Sequence, residues 1–215
     1  ACLRTKTAAE IVAVAPGLDL SANSVPFAPV VDGWALPATT RARLEDPAFT
    51  PVPMIAGTNR DEGTLFSLGV TLATPADYDA QVRSMAGAYA NDLLAIYPAS
   101  AYASPKAAYD TLLRDVLFLC PTREIVRLAS VRQPQTFLYQ FTQVNGALNA
   151  IGVGATHASE IPYVFGNFAR PFLAPTAEDT AVYQAMSAYW LRFATSADPN
   201  ATGAVPWPAF TTAPP

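Results

Sequence analysis

The sequence predicts the closing portion of an open α/β sheet together with its helices, and three features carry that expectation. Two short runs, Val52–Ala56 and Thr136–Phe141, read as strands, and a block of helical sequence separates them. A last stretch from about Glu178 to Thr195 places Val182, Met186, Tyr189, Trp190 and Phe193 at helical spacing on one face. Two strands are too few to complete such a sheet, so its N-terminal part is expected to lie elsewhere.

The elements follow in order. A short helix over Thr7–Val14 ends at the Pro16-Gly17 turn. Residues Val25–Val31, broken by Pro26 and Pro29, suit a loop or edge segment and run into the turn Asp32-Gly33. Val-Pro-Met-Ile-Ala at 52–56, closed by Gly57, has the unbroken apolar character of a parallel strand buried on both faces. Helices are predicted at Pro75–Tyr89 behind a Thr74 cap, at Asn91–Tyr97, at Pro105–Leu119 behind a Ser104 cap, and at Thr122–Ser130 behind Pro121. Thr-Phe-Leu-Tyr-Gln-Phe at 136–141 is the second strand. Val144–Thr156 shows no clean period and reads as a long glycine-bearing loop, a kind of segment that tends to be functional. The tail from Asp198 to Pro208 is proline-rich and irregular.

Composition narrows the function. With 215 residues, 51% of them hydrophobic, the chain can bury a sizeable core. A formal charge of −4 without a basic stripe argues against a nucleic-acid partner. No apolar run approaches the roughly 20 residues of a membrane span. The first residues are mixed and polar, so no signal-peptide core and no compartment are read from them. Cys2 and Cys120 allow at most one internal disulfide and do not have the spacing of a metal site; either could equally be a buried free thiol. No metal or cofactor is expected.

His157 is the only histidine. A lone histidine is ordinarily structural or merely exposed, but this one ends a long loop after a strand. Small residues, Gly152, Gly154 and Ala155, precede it and a rigid apolar segment, Ile161–Phe165, follows it, which is how a general base should be held. Asn59-Arg60-Asp61-Glu62-Gly63 follows the first strand, so its acids stand at the carboxyl edge of the sheet. The plain alternative is a solvated turn in which Asp61 or Glu62 caps the next helix. Together, an acid after one strand and a histidine after the next reproduce the order in which α/β-hydrolases present those partners after an upstream serine. No Gly-x-Ser-x-Gly elbow and no glycine-rich oxyanion segment occur in the chain.

At these residues the sequence resembles the type-B carboxylesterases, which include the cholinesterases and the non-catalytic neuroligins. The resemblance covers nearly the whole chain. It rests on Cys2-Leu3-Arg4, Pro29-Val30-Val31-Asp32-Gly33 with Leu36-Pro37, Gly57 to Thr64, Cys120-Pro121, Tyr139-Gln140-Phe141, His157 to Gly166, Tyr189-Trp190 with Phe193-Ala194, Asp198-Pro199-Asn200 and Trp207-Pro208. It implies an α/β-hydrolase fold of which residues 1–215 are the C-terminal part of a single domain, with Glu62 as triad acid, His157 as general base and Glu160 as a supporting carboxylate. It also implies that the segment around Val25, with Leu65 and Phe66, lines the acyl and alcohol pockets. Leu65 stands where the cholinesterases often carry an aromatic, so small or medium neutral esters are expected rather than choline esters. In the family, Cys2 pairs with an upstream cysteine and Cys120, in animal members, with one near the C-terminus; both partners are absent here, so reduced thiols are expected. The implied activity is carboxylic ester hydrolysis on a small-molecule ester, with the serine supplied by an N-terminal portion. The chain, opening at Ala1 in mid-fold, is expected to be a cut or processed piece. The competing readings are a non-catalytic binding protein of the same fold and an inactive truncated product.

Overall fold

A computed structural model describes residues 2–14, 29–168 and 174–211. Its described α-helices and strands follow in the order α1 (Ala8–Val14), α2 (Thr40–Glu45), β1 (Met54–Asn59), α3 (Gly63–Phe66), α4 (Pro75–Ala86), α5 (Ala90–Ile96), α6 (Pro105–Arg114), α7 (Cys120–Ser130), β2 (Thr136–Phe141), α8 (Gly146–Ala150), α9 (Ile161–Phe165) and α10 (Ala177–Ser196). β1 and β2 are adjacent and parallel, Met54 opposite Thr136 and Asn59 opposite Phe141. Both strands therefore deliver their carboxyl ends to the same edge, and the ladder runs on through Arg60 N–H to Phe141 O at 2.8 Å.

Most helix starts have a local cause that the sequence already carries. Thr74 caps α4 in a reciprocal box with Asp77, Ser104 caps α6, and Thr176 caps α10 with Asp179. The helical layer closes on buried Tyr78, Val82, Tyr109, Leu112 and Leu113. A second cluster joins Phe141 of β2 to Ala155, Tyr163 and Met186, which ties the loop after β2 to α9 and α10.

Several expectations need correction. β1 begins two residues later than predicted, because Pro51 and Pro53 have no N–H to pair and Met54 N–H is the donor that reaches Gln135 O, at 2.9 Å. It extends to Asn59, half-buried over its first four residues and buried only at Thr58 and Asn59. Val144–Thr156 is not wholly irregular: Asn145 accepts from Ala147 N–H at 3.0 Å and starts the short helix α8, too brief to show a period. The two helices separated at Pro121 are one continuous path. Residues Asp115–Leu119 form a π turn in which Cys120 N–H reaches back five residues to Asp115 O, and Pro121, without an N–H, falls in the opening turn of α7. Helices α2, α3 and α9 were not predicted, each being six residues or fewer.

Among the described residues no helix is long and apolar enough to cross a membrane, and no three His, Cys, Asp or Glu side chains gather in a way that could hold a metal ion. Cys120 is a free, exposed thiol, so the reading of it as buried does not hold.

Candidate active site

β1 ends at Asn59 and turns at once into α3, and this turn carries the two acids. Neither caps α3. Glu62 occupies the cap position in right-handed helical conformation with no side-chain bond to the helix. Its Oε1 instead accepts from Asn59 N–H at 2.8 Å, and its Oε2 lies 2.7 Å from His157 Nδ1. Asp61 turns the other way: its carboxylate accepts from Ala155 N–H at 2.8 Å, while its own N–H donates to Ala155 O at 2.9 Å. Arg60 covers the outer side of that carboxylate at 2.9 Å, which raises the guanidinium's pKa.

The β2 side supplies the imidazole. After α8 the chain passes Gly154, at φ +66°, where a Cβ would overlap the Asp61 carboxylate; only glycine combines that backbone with so close an approach. Thr64 Oγ1 lies 2.7 Å from both Asp61 O and Val153 O and 3.0 Å from Thr156 Oγ1, which stitches α3 to the loop. His157 then sits at the head of a turn closed by Ser159 N–H to Thr156 O at 3.1 Å, with Ala158 in the left-handed region at φ 65°. The ring of Phe66 stands 5.2 Å from the imidazole and that of Phe118 5.0 Å. Phe118 comes from the π turn between α6 and α7.

The pair is asymmetric in exposure. Glu62's side chain is 7% exposed and His157's 43%. A buried carboxylate that receives a backbone N–H and the Nδ1 edge fixes the tautomer with the proton on Nδ1, leaving Nε2 as the nitrogen for a reacting partner. Asn59 binds the two halves from below: its Nδ2 donates to Thr156 O at 2.8 Å and to Glu160 Oε2 at 2.5 Å. Tyr139 lies near both Glu62 and Glu160; burial, then the charge of the two carboxylates, pushes its hydroxyl up to about 12, so it stays neutral. Among the described residues, the buried side-chain polar atoms without a hydrogen-bond partner are Thr58 Oγ1, Asn59 Oδ1 and Ser159 Oγ.

A groove of about 410 Å³ opens beside His157, walled by Thr156, Ser159, Ile161, Pro162, Tyr163 and Phe168. Leu65 is half-buried on α3, and neither Leu65 nor Phe66 forms part of that wall. Val25 lies outside the described residues. Glu62, His157, Phe66 and Glu160 are thus brought together, the last through Asn59. Sequence reasoning did not single out Asn59, Asp61's hold on the loop, Thr64 or Phe118. The first three belong to a motif already noticed, whereas Phe118 carries no local signal.

An acid and a histidine meeting where two parallel strands end is the layout of an α/β protein that places its chemistry at the carboxyl edge of the sheet. The carboxylesterase family model matches residues 1–215, and the chain belongs to that family. Membership implies an α/β-hydrolase fold. Similar proteins include a fumonisin B1 esterase of Sphingopyxis macrogoltabida, 28% identical over 193 residues that cover 86% of this chain and 35% of that protein. The human bile salt-activated lipase is 32% identical over 87% of this chain and 28% of its own length. An inactive carboxylesterase-like protein of Byssochlamys spectabilis is 30% identical over 80% of this chain and 34% of its own length. The chain therefore spans about a third of the length of the relatives it matches.

Proposed function

We propose that these 215 residues are the C-terminal part of one α/β-hydrolase domain and supply the acid and base, Glu62 and His157, of a serine carboxylesterase whose nucleophile lies in an upstream segment. The observation that carries the reading is the 2.7 Å contact between His157 Nδ1 and Glu62 Oε2, with the acid buried and the ring exposed. His157 Nε2 takes the proton of the serine hydroxyl as its oxygen attacks the ester carbonyl. It then returns the proton to the leaving alcohol and repeats both transfers with water, while Glu62 holds the ring and stabilises the imidazolium. Small or medium neutral esters are the proposed substrates. Leu65 and Phe66, with the segment around Val25, are the proposed pocket residues, and Glu160 supports the turn that carries the base.

A second reading, a binding protein of the same fold without catalysis, draws support from the inactive relative at 30% identity. The acid-to-imidazole geometry favours the enzyme, because binding alone requires neither group to be so placed. The deciding experiment is intact mass of the native material under denaturing conditions, with fluorophosphonate labelling of activated serines. A labelled polypeptide that contains or accompanies this chain, with labelling lost on His157→Ala, supports the enzyme. Labelling that survives His157→Ala, or native material in which no serine reacts, leaves the binding reading.

A further inference from the structure

We infer that Asn59 is the positioning residue of the site: one side chain and its own backbone N–H hold acid and base in register, so that proton transfer depends on its amide. The inference rests on the esterase reading above. Asn59 is 1% exposed. Its backbone N–H fixes Glu62 Oε1 at 2.8 Å and so leaves Oε2 for the imidazole. Its Nδ2 hydrogens go to Thr156 O, immediately before His157, and to Glu160 Oε2, three residues after it. The amide therefore clamps both ends of the turn that carries the ring.

The direction of the amide is dictated by its partners. A carbonyl oxygen and a carboxylate oxygen are acceptors only, and both face Nδ2, so both amide hydrogens are committed. Turning the group over would set its oxygen against them. The consequence is visible at Oδ1, which is buried and has no hydrogen-bond partner. An acceptor left unpaired in the interior is unfavourable; here it accompanies the one arrangement that satisfies the turn. Leucine would lack the donors and aspartate, of equal size, would bring a carboxylate against Glu160. Charged groups facing the position are Glu62 through the backbone bond and Glu160 through the amide, with His157 beyond Glu62 and neutral Tyr139 beside both acids.

The test uses the complete esterase, with its serine-bearing segment, as Asn59→Asp and Asn59→Ala beside His157→Ala. kcat on a short-chain aryl ester is expected to fall on the order of 10²-fold in both Asn59 variants, the cost of a reacting group misplaced by about 1 Å, with KM changed less than about threefold. A merely structural role would lower the melting temperature but leave kcat of the folded fraction intact. Asn59→Asp should also regain activity as the pH is lowered toward the range where the two facing carboxylates share a proton, a feature the wild type lacks. Should neither variant fold, Glu160→Ala, which removes one of the amide's two acceptors, must lower kcat without raising KM. Wild-type kcat in folded Asn59→Asp, or in Glu160→Ala if the Asn59 variants do not fold, overturns the inference. If His157→Ala itself keeps full activity, the esterase reading has failed instead.

Discussion

Replacing Glu62 with glutamine keeps the side chain's size and removes its charge, and the donors around it decide which way the new amide turns. Asn59 N–H points at Oε1 from 2.8 Å, so the amide oxygen belongs there and the NH2 group faces His157 Nδ1. Nδ1 must then accept, and the ring proton moves to Nε2, where a base is wanted. The reverse orientation preserves the useful tautomer but sets two donors against each other at a side chain 7% exposed. That orientation costs roughly 1–3 kcal/mol, a factor of about 5 to 150 in population. The lost carboxylate also no longer stabilises the imidazolium; at an effective dielectric near 20, two unit charges about 4 Å apart interact by about 4 kcal/mol, part of which returns as solvation. Together these set the loss in kcat at about 10³- to 10⁴-fold, in the range seen when a triad acid becomes an amide. Esterase kcat of the complete protein is one readout. The other is the imidazole ¹⁵N spectrum of this chain, whose single histidine leaves no assignment problem. Wild-type protein should show the proton on Nδ1 and the variant on Nε2. A loss in kcat under tenfold, or an unchanged tautomer, refutes the role given to Glu62.

Other perturbations separate the remaining supports. Phe118→Ala removes one of the two rings beside His157 and should cost about 1–3 kcal/mol of stability, as a half-buried truncation does, while lowering kcat of the folded protein and broadening the imidazole signal; unchanged kcat with an unchanged signal would show that Phe118 does not hold the ring. Gly63→Ala places a Cβ onto the Asp110 carbonyl oxygen, so α3 must leave α6 and carry Glu62 with it; the melting temperature and the Nδ1 proton signal should fall together. Asp179 should contribute to the acid limb of stability. Burial alone would raise its carboxyl pKa, but hydrogen bonds from Tyr163, Thr176 and Gln143 outweigh it and hold the group below its ordinary 3.8. Because the folded value is depressed, its contribution is complete above the unfolded pKa and is lost as pH falls through the folded one. Urea midpoints measured from pH 6 down to 2 should therefore drop below about pH 4, and Asp179→Asn should flatten that drop.

What the sequence made legible is what has a local cause. Thr74, Ser104 and the proline after each set the starts of α4 and α6, and the run Thr136–Phe141 gave β2 to the residue. Glu62 and His157 stood out because one follows a strand and the other is the sole histidine, and the structure brings them to 2.7 Å. Helices of six residues or fewer stayed hidden, since α8 and α9 do not complete two turns and no 3.6-residue period can register in them. Apolarity alone places the start of β1 too early: Val52 is apolar but 64% exposed and lies between two prolines.

The harder omission was Phe118. Its place beside His157 depends on the π turn, which widens the backbone over Asp115–Leu119 just before Pro121. A periodic reading treats Pro121 as a break between two helices, and a break would remove the reason for any particular residue to face the histidine. Continuity through the wider turn does the opposite. It keeps α6 and α7 on one path and fixes the direction of Phe118 from both sides. Asn59 illustrates the same limit from within a recognised motif: its importance lies in partners about a hundred residues away, Thr156 and Glu160. Spacing along the chain identifies which groups can do chemistry; what holds them at working distance is decided by contacts that only the folded sheet edge brings about.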